Sequence, residues 1–475
     1  MSMRPTRFEL AGLLVIALIL VYQLFIPPLI GMADNGDFLR VLGRNGLSHN
    51  ATEHKDKFFD FFNSKYRIIE PREDWGAPYK TSTALLMQPA RWLSIKSGHT
   101  QIFDIRILAA LYTLLLLFGS WLILTSARSL KIGLRLVISG LLIIILTDAG
   151  YVAYFNSFYS EATVLGFLVI GIGCSLILIA RRSPHVLWLA GYFLAVTLAV
   201  TSKPQYVPLA PLFGLFGVFL ARYVRYPYRY SVSSLMVVIL LCVAAWYYRQ
   251  TPPVFSVGGP YVQIFMDMLP HSSTPRQDLE ALGLNPKYEI YSGTNPYAGP
   301  LNDDPEFRAE FLARISVRTV PLFYLAHPRR FYELCARCAK HMFWNRVYLG
   351  YYEASSGKPP GSKPPAVWSS VRERVFPKSL FFLLVFLFTG VAAVVLFIRS
   401  SSATRRGLYV LYLLLVFIAA TQFLTAILPG GGEPDLEKHL FMFNLAFDFS
   451  LVLIVTWSVN LAQNFRRPFT APPAV

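Results

Sequence analysis

The sequence predicts an all-α polytopic membrane protein of about ten transmembrane helices, and three observations carry that expectation. Of its 475 residues, 54% are hydrophobic and only 15% are charged, and the apolar residues come in long runs. Ten runs approach the ~20 residues that a span needs, near 10–30, 105–126, 133–149, 162–180, 186–200, 205–221, 232–248, 378–398, 407–428 and 441–461. When these spans alternate in direction, every short connection rich in Lys and Arg falls on one side, the side that the bias of cytoplasmic loops identifies.

The first run has no small-residue cleavage site and enters polar sequence through Pro27 and Pro28, which marks an uncleaved anchor. With Arg4 and Arg7 inside, it delivers residues 31–104 to the exterior. There Phe58, Phe59, Phe61 and Phe62 against Lys55, Lys57, Asp60 and Lys65 predict an amphipathic helix lying in the interface. The next spans are joined inside by "ARSLKIGLR", "RRSPH" and "ARYVRYPYRY", and outside by "DAGYVAYFNSFYSEA" and "TSKPQY". The fifth and sixth runs are short and broken by Pro. Residues 249–377 form a second exterior segment, mainly helical, with a helix start capped at Asp303 or Asp304 ahead of Pro305. The last three runs are separated by "RSSSATRRG" inside and "GGGEPDLEKHLF" outside, and the tail "NFRRPF" returns inside. The organisation expected is a transmembrane core over 1–248 that includes the loop 31–104, an exterior cap over 249–377, and C-terminal transmembrane helices over 378–475.

Several function classes lose support at this level. The net charge of +17 is largely topology signal, and no basic, aromatic-interleaved patch is concentrated on a soluble domain, so nucleic acid is not an expected partner. The Cys335-x-x-Cys338 pair stands alone, and its place one turn apart on a helix face suits packing. No internal repeat supports an inverted-repeat transporter, and no phosphate-binding glycine loop is present.

The chemistry-bearing residues gather at the exterior ends of the spans. In "ADNGDF", Asp34 and Asp37 flank Asn35-Gly36, a turn-forming pair. One Asp suffices to cap the following helix, so the second carboxylate at the hydrocarbon boundary calls for a use. "DAGYVAYFNSFYSEA" offers Asp148, Tyr151, Tyr154, Asn156, Ser157, Tyr159 and Glu161, where a plain connector needs only a few small polar residues. Glu161 heads an apolar span and points toward a bundle interior. In "TSKPQY", Lys203 lies on the exterior side against the positive-inside tendency, placed either to snorkel to lipid or to hold the phosphate of a bound lipid. Before the last span come Glu433, Asp435, Glu437, Lys438 and His439, and within it Asn444 and Asp448, four apart on one helix face.

Together these residues suit a reaction on a substrate with an apolar tail and a phosphate. Lys203, Lys438 and His439 hold the phosphate, a carboxylate among Asp34, Asp37 and Glu161 takes the proton of an incoming hydroxyl, and Asn35, Asn156, Tyr159, Gln205, Glu437 and Asn444 supply hydrogen bonds to the substrates. A divalent cation, Mg2+ or Mn2+, is an alternative stabiliser of the leaving charge. A flippase or transporter for lipid-linked glycans would continue its charges through the spans, whereas here the membrane centre is apolar. A noncatalytic envelope-assembly protein would tolerate Asp34→Asn.

The motifs also carry a resemblance. "ADNGDF", "YFNSFYSE" and "KHLFMFN" are similar to stretches of the GT-C superfamily of membrane glycosyltransferases, and more narrowly of bacterial glycan-biosynthesis hexose transferases. The likeness implies a GT-C-like fold with two interfacial helices in 31–104. It also implies a polyprenyl-phosphate sugar as donor, a glycan, lipid or protein of the cell envelope as acceptor, and an active site on the periplasmic side of a bacterial plasma membrane, with both termini cytoplasmic. Asp34 and Asn35 match the acidic pair of that superfamily. Asn35 stands where many relatives have a second acid, leaving Asp37 or Glu161 for that place.

Overall fold

Each of the ten apolar runs forms a helix in the computed structural model, which describes residues 5–72, 80–181, 185–252, 254–296, 299–344, 347–428 and 432–465. Arg182, Arg466 and Arg467 of the basic connections, and the side chains of Glu433 and Asp435, lie outside the described residues. The helices are α1 (Arg7–Phe25), α2 (Arg106–Ser126), α3 (Ile132–Leu146), α4 (Ser160–Ala180), α5 (Val186–Val200), α6 (Ala210–Ala221), α7 (Arg229–Arg249), α8 (Leu380–Arg399), α9 (Ala403–Ile427) and α10 (Phe441–Phe465). Among the described residues eight helices are long and apolar enough to span a membrane, or nine if α3 and the segment Ala149–Asn156, bent from it by 51°, form one span. α5, an apolar helix of 15 residues, falls outside that count, whereas α6, of 12 residues, reaches span length only with the 3-10 turn Pro204–Leu209 that precedes it.

The bend after α3 has a local cause. Asp148 adopts an extended conformation and its carboxylate caps the new turn at Gly150 N, which restarts the helix in another direction. The break after α5 is enforced by Pro204, which follows Lys203 and opens a 3-10 turn over Pro204–Leu209 before α6 begins.

α4 is the axis of the bundle: 94% of its apolar window is buried, against 22% for α7 and α8. It packs between α2 and α5. Small residues set the approach of α2 to α4. A Cβ on Gly119 would lie 2.8 Å from Val169 Cγ1, and one on Gly173 2.6 Å from Leu122 Cβ. At the end that bears the basic connections, Glu9 of α1 is buried against Arg128, with Arg135 near it.

The chain is largely helical, as the sequence predicts, with one addition. β1 (Leu47–His49), β2 (Lys65–Ile68) and β3 (Ile102–Asp104) form an antiparallel sheet in that order, registered by Ser48↔Arg67 and Tyr66↔Phe103. Strands of three and four residues are too short for alternation to stand out in a sequence, yet β2 does alternate, with Tyr66 buried between exposed Lys65 and Arg67. The amphipathic helix expected over 55–65 is not formed. Only His54–Lys57 is helical, Phe58 makes a parallel bridge with Asp34, and Phe62 enters the core. The phenylalanine pairs 58–59 and 61–62 fit a helical stripe on paper, but the chain leaves the helix at Phe58, Phe59 takes a left-handed backbone conformation (φ +67°) and stays out, and Phe62 turns inward. Of the two interfacial helices expected in 31–104, Ala84–Lys96 has the required character, exposing Leu85, Trp92 and Leu93 while burying Met87 and Ala90.

In the second long segment the continuous helical stretch is broken into Pro305–Arg314, Thr319–Ala326 and Pro328–Cys338. Asp304 caps the first of these through Phe307 N, as expected, and Cys335 and Cys338 are both buried on the last. The two long segments are joined by backbone hydrogen bonds. Gly31 N donates to Tyr351 O (3.0 Å), Ala33 N to Gly350 O (2.9 Å), Phe62 N to Tyr352 O (3.0 Å) and Gly350 N to Phe59 O (2.8 Å). A Cβ on Gly350 would lie 1.9 Å from Asp60 O, so only glycine permits this seam.

Candidate functional site

The exit of α1 is held by backbone contacts before it presents any chemistry. Asn156 Nδ2 donates to Leu24 O and Ile30 O, which fixes residues 31–33 against the seam. The chain then turns at Asn35-Gly36, where Gly36 has φ +100°, a conformation glycine adopts without strain; no neighbour crowds it, so the backbone angle alone is the reason for glycine. Asp34 Oδ1 accepts from Gly36 N (2.7 Å) and Phe38 N (3.1 Å), and its Oδ2 lies 3.0 Å from His49 Nε2. Both side chains of this pair are buried. Burial pushes the Asp34 carboxyl above the ordinary range, against the hydrogen bonds from His49 and Phe38 N that work to lower it.

Asp37 has the opposite character. Its carboxylate meets Arg40 Nη1 at 2.9 Å and Lys438 Nζ at 2.5 Å. Burial alone would raise it, but Arg40 and Lys438, with Lys203 farther off, outweigh that and hold the carboxyl well below the usual range. Lys438 also sits 5.3 Å over the ring of Tyr159. The Tyr159 hydroxyl donates within reach of Ala33 O (2.9 Å) and Asn35 Oδ1 (3.0 Å), and accepts from Asn35 N. Asn35 and Tyr159 therefore shape the turn that carries both acids.

Glu161, in the first turn of α4, is buried and pairs with Lys203 Nζ at 2.8 Å. Lys203 stands at the Pro-enforced break, so its side chain reaches α4 from the end of α5. Gln205, two residues on, bonds His439 twice: its Nε2 donates to His439 O (2.8 Å), and its Oε1 is 2.7 Å from His439 Nδ1. Burial, then the flanking Lys203 and Lys438, push the His439 imidazole well below its ordinary range, so near pH 7 it is neutral. It offers hydrogen bonding rather than positive charge. Glu437 is half-buried, within electrostatic reach of Tyr154.

Two expected residues bond backbone groups: Asn156 through its Nδ2 at the α1 exit, with its Oδ1 left without a partner, and Asn444, which accepts from Phe343 N (3.2 Å) while donating to Trp344 O (2.9 Å). Asp448 belongs to a separate, fully buried network: its Oδ2 accepts from Tyr151 OH (2.6 Å) and Arg372 Nη1 (2.6 Å). Asp148 closes that network by accepting from Trp368 N, Ser369 N and Ser369 Oγ, capping the helix Val367–Val375 that carries Arg372.

What assembles at one end of the bundle is thus Asp34, Asp37 and Glu161 with Lys203, Lys438, Arg40, His49, Tyr159, Gln205 and His439. Arg40 and His49 were missed in the sequence. Arg40 had a legible signal, three residues after Asp37 at the start of a helix. His49 had none, since its tie to Asp34 depends on the small sheet. Among the described residues no group of three or more His, Cys, Asp or Glu could hold a metal ion.

Against known proteins, the family model described as the YfdI N-terminal transmembrane domain matches residues 3–469. A search of the curated proteins finds no match. Among solved structures, the crystal structure of the oligosaccharyltransferase of Archaeoglobus fulgidus in its apo form is similar at a TM-score of 0.39 and 15% identity, over 98% of this chain and 52% of that one. The chain thus spans about half the length of that protein.

Proposed function

The chain belongs to the family of YfdI N-terminal transmembrane domains, and from that premise we propose that it is an inverting glycosyltransferase, moving a sugar from a polyprenyl-phosphate donor to a cell-envelope glycan, lipid or protein at the exterior membrane face. The observation that carries the reading is the convergence of three carboxylates and three cations, from positions as far apart as Asp37 and Lys438, at one end of an apolar bundle. Each of these cations pairs with a carboxylate, and the same cations are the groups from which a lipid phosphate at the membrane boundary would draw its charge-assisted hydrogen bonds.

Asp34 is the better base of the two acids in the first loop. Its raised proton affinity suits it to accept a proton, whereas Asp37 is held ionised by two cations. The acceptor O–H bond breaks with its proton passing to Asp34 Oδ2. The acceptor oxygen bonds to the sugar C1, and the C1–O bond to phosphate breaks with its electron pair on the phosphate. Lys203 and Lys438, with Arg40 behind Asp37, meet that charge.

The test is transfer by the purified protein from a panel of polyprenyl-phosphate sugars to a cell-envelope extract; failure with every donor, alongside measurable lipid flipping, would replace this reading with transport. Two variants refine it. Lys203→Ala is expected to raise the donor concentration needed for half-maximal rate by roughly 10–100-fold, the worth of a charge-assisted hydrogen bond. It also costs stability by leaving Glu161 buried without its cation. Lys203→Arg should restore the fold and part of donor use, and an unaltered donor dependence in the Ala variant would remove Lys203 from the site. His439→Ala is expected to lower turnover by releasing Gln205 Oε1, while Gln205 Nε2 keeps its bond to the backbone O of residue 439; a rate within about twofold of wild type would leave His439 a purely structural role.

A further inference from the structure

His49 is buried at the site and has no task in the reaction as written above. It ends β1, paired across to Tyr66 of β2, with its ring 5.3 Å from that of Phe58 and 5.7 Å from that of Tyr66. Asp34 is tied to the same framework by its bridge to Phe58 and by Phe59 N donating to Asp34 O at 2.9 Å. The sheet and the acidic loop are therefore tied by backbone contacts on either side of the 3.0 Å contact between His49 Nε2 and Asp34 Oδ2. Nδ1 of the ring is buried with no hydrogen-bond partner. Nε2 faces an acceptor, so the tautomer that satisfies the pair carries its proton on Nε2.

Two backbone N–H groups already occupy Asp34 Oδ1, so Oδ2 is the oxygen left for chemistry. We propose that His49 is a positioning residue for glycosyl transfer: its Nε2–H fixes the direction of Asp34 Oδ2 and favours its ionised form, leaving the second lone pair of that oxygen for the acceptor hydroxyl. The role rests on the transfer reaction proposed above. The proton taken from the acceptor resides on Oδ2, and His49 neither gains nor loses one.

The groups that face Asp34 set the direction of the pH effect. Asp37 on the same loop disfavours its charge, and His49 favours it. Tyr66 of β2 and Tyr159 ahead of α4 feel the Asp34 charge with their hydroxyls protonated, and Glu353 from the second long segment acts on Tyr66. Removing His49 leaves the burial and the Asp37 charge in place, so Asp34 holds its proton to higher pH and the acidic limb of kcat/KM moves upward. Each unit of that move costs roughly tenfold in rate below the limb. A side chain that served packing alone would lower the rate equally at every pH.

The experiment uses the full chain in lipid nanodiscs, radiolabelled polyprenyl-phosphate hexoses and a cell-envelope extract as acceptor. His49→Ala should shift the acidic limb upward, and His49→Gln, whose amide N–H reaches toward Oδ2, should bring it back. A limb in His49→Ala that superimposes on that of active wild type overturns the role of His49 and leaves the transfer reaction standing. Absence of transfer by wild type overturns the reaction, and the proposal with it. If His49→Ala fails to fold, the imidazole 15N signals decide, with His49 assigned by its loss in His49→Gln. An Nε2–H signal that responds to Asp34→Asn supports the pair, and an Nδ1–H form or an unresponsive signal overturns it.

Discussion

Asp34→Asn is expected to slow sugar transfer by roughly 10²–10⁴-fold, the usual worth of a positioned base. The amide keeps the size of the carboxyl and an oxygen that can still accept from Gly36 N and Phe38 N, so the turn should persist. What disappears is the oxygen that takes the proton, an interaction made mainly in the transition state, so turnover falls while donor binding stays. The pH profile separates this from misfolding. In the wild type, activity should fall as pH drops through a carboxyl displaced above the ordinary range, and Asp34→Asn should lack that limb. Asp37→Asn should act differently, chiefly on donor affinity, because it unbalances Arg40 and Lys438. Normal transfer by the Asp34 variant together with an inactive Asp37 variant would move the base to Asp37, and normal transfer by both would end the mechanism.

The largest effect on stability should come from Arg372→Leu. Arg372 is fully buried and bonds Asp448 through one nitrogen, with Tyr151 OH (2.8 Å) and Phe343 O (3.2 Å) as further partners. Burial opposes its charge, but Asp448 and Tyr151 outweigh that, so the guanidinium stays charged. Deleting it strands Asp448 inside the bundle, and breaking a buried pair from one side costs about 3–5 kcal/mol. The double change Arg372→Leu with Asp448→Leu removes both charges and should recover much of that loss. Thermal unfolding in detergent provides the check; a single variant that melts like wild type would show that the pair contributes little.

How much of this was readable follows from the range of each interaction. All ten apolar runs became helical because hydropathy is a local property, but only eight helices, or nine with the bent pair, are long and apolar enough to span a membrane among the described residues, since where a run is broken depends on Pro204 and on the cap at Asp148. The turn at Asn35-Gly36 and the cap at Asp304 are local too, and both formed. Asp34, Asp37, Glu161, Lys203 and Lys438 were singled out by their place at span ends, and the fold gathers them. Their pairing was not readable: Asp37 meets a lysine 401 positions away and Glu161 one 42 positions away. His49 escaped notice because its meaning depends on a sheet of strands three and four residues long. The backbone bonds of Asn156 and Asn444 were not readable either, because broken backbone at that depth needs hydrogen bonds whose donors and acceptors the sequence does not locate, and these amides supply some of them.

The network around Asp448 also constrains the order in which the protein can be made. An Asp in the last span is costly in lipid until its partners are in place. Those partners are old by then: Arg372 precedes it by 76 residues and Tyr151 by 297. At ~5–20 residues per second, Tyr151 has left the ribosome roughly 15–60 s before Asp448 is added. The first half of the bundle must therefore wait with a polar socket open while the second long segment and α8 and α9 are synthesised, and α10 enters as the closing piece. Until α10 arrives, Arg372 lacks its nearest carboxylate and rests on Tyr151 OH, Phe343 O and the more distant charge of Asp148.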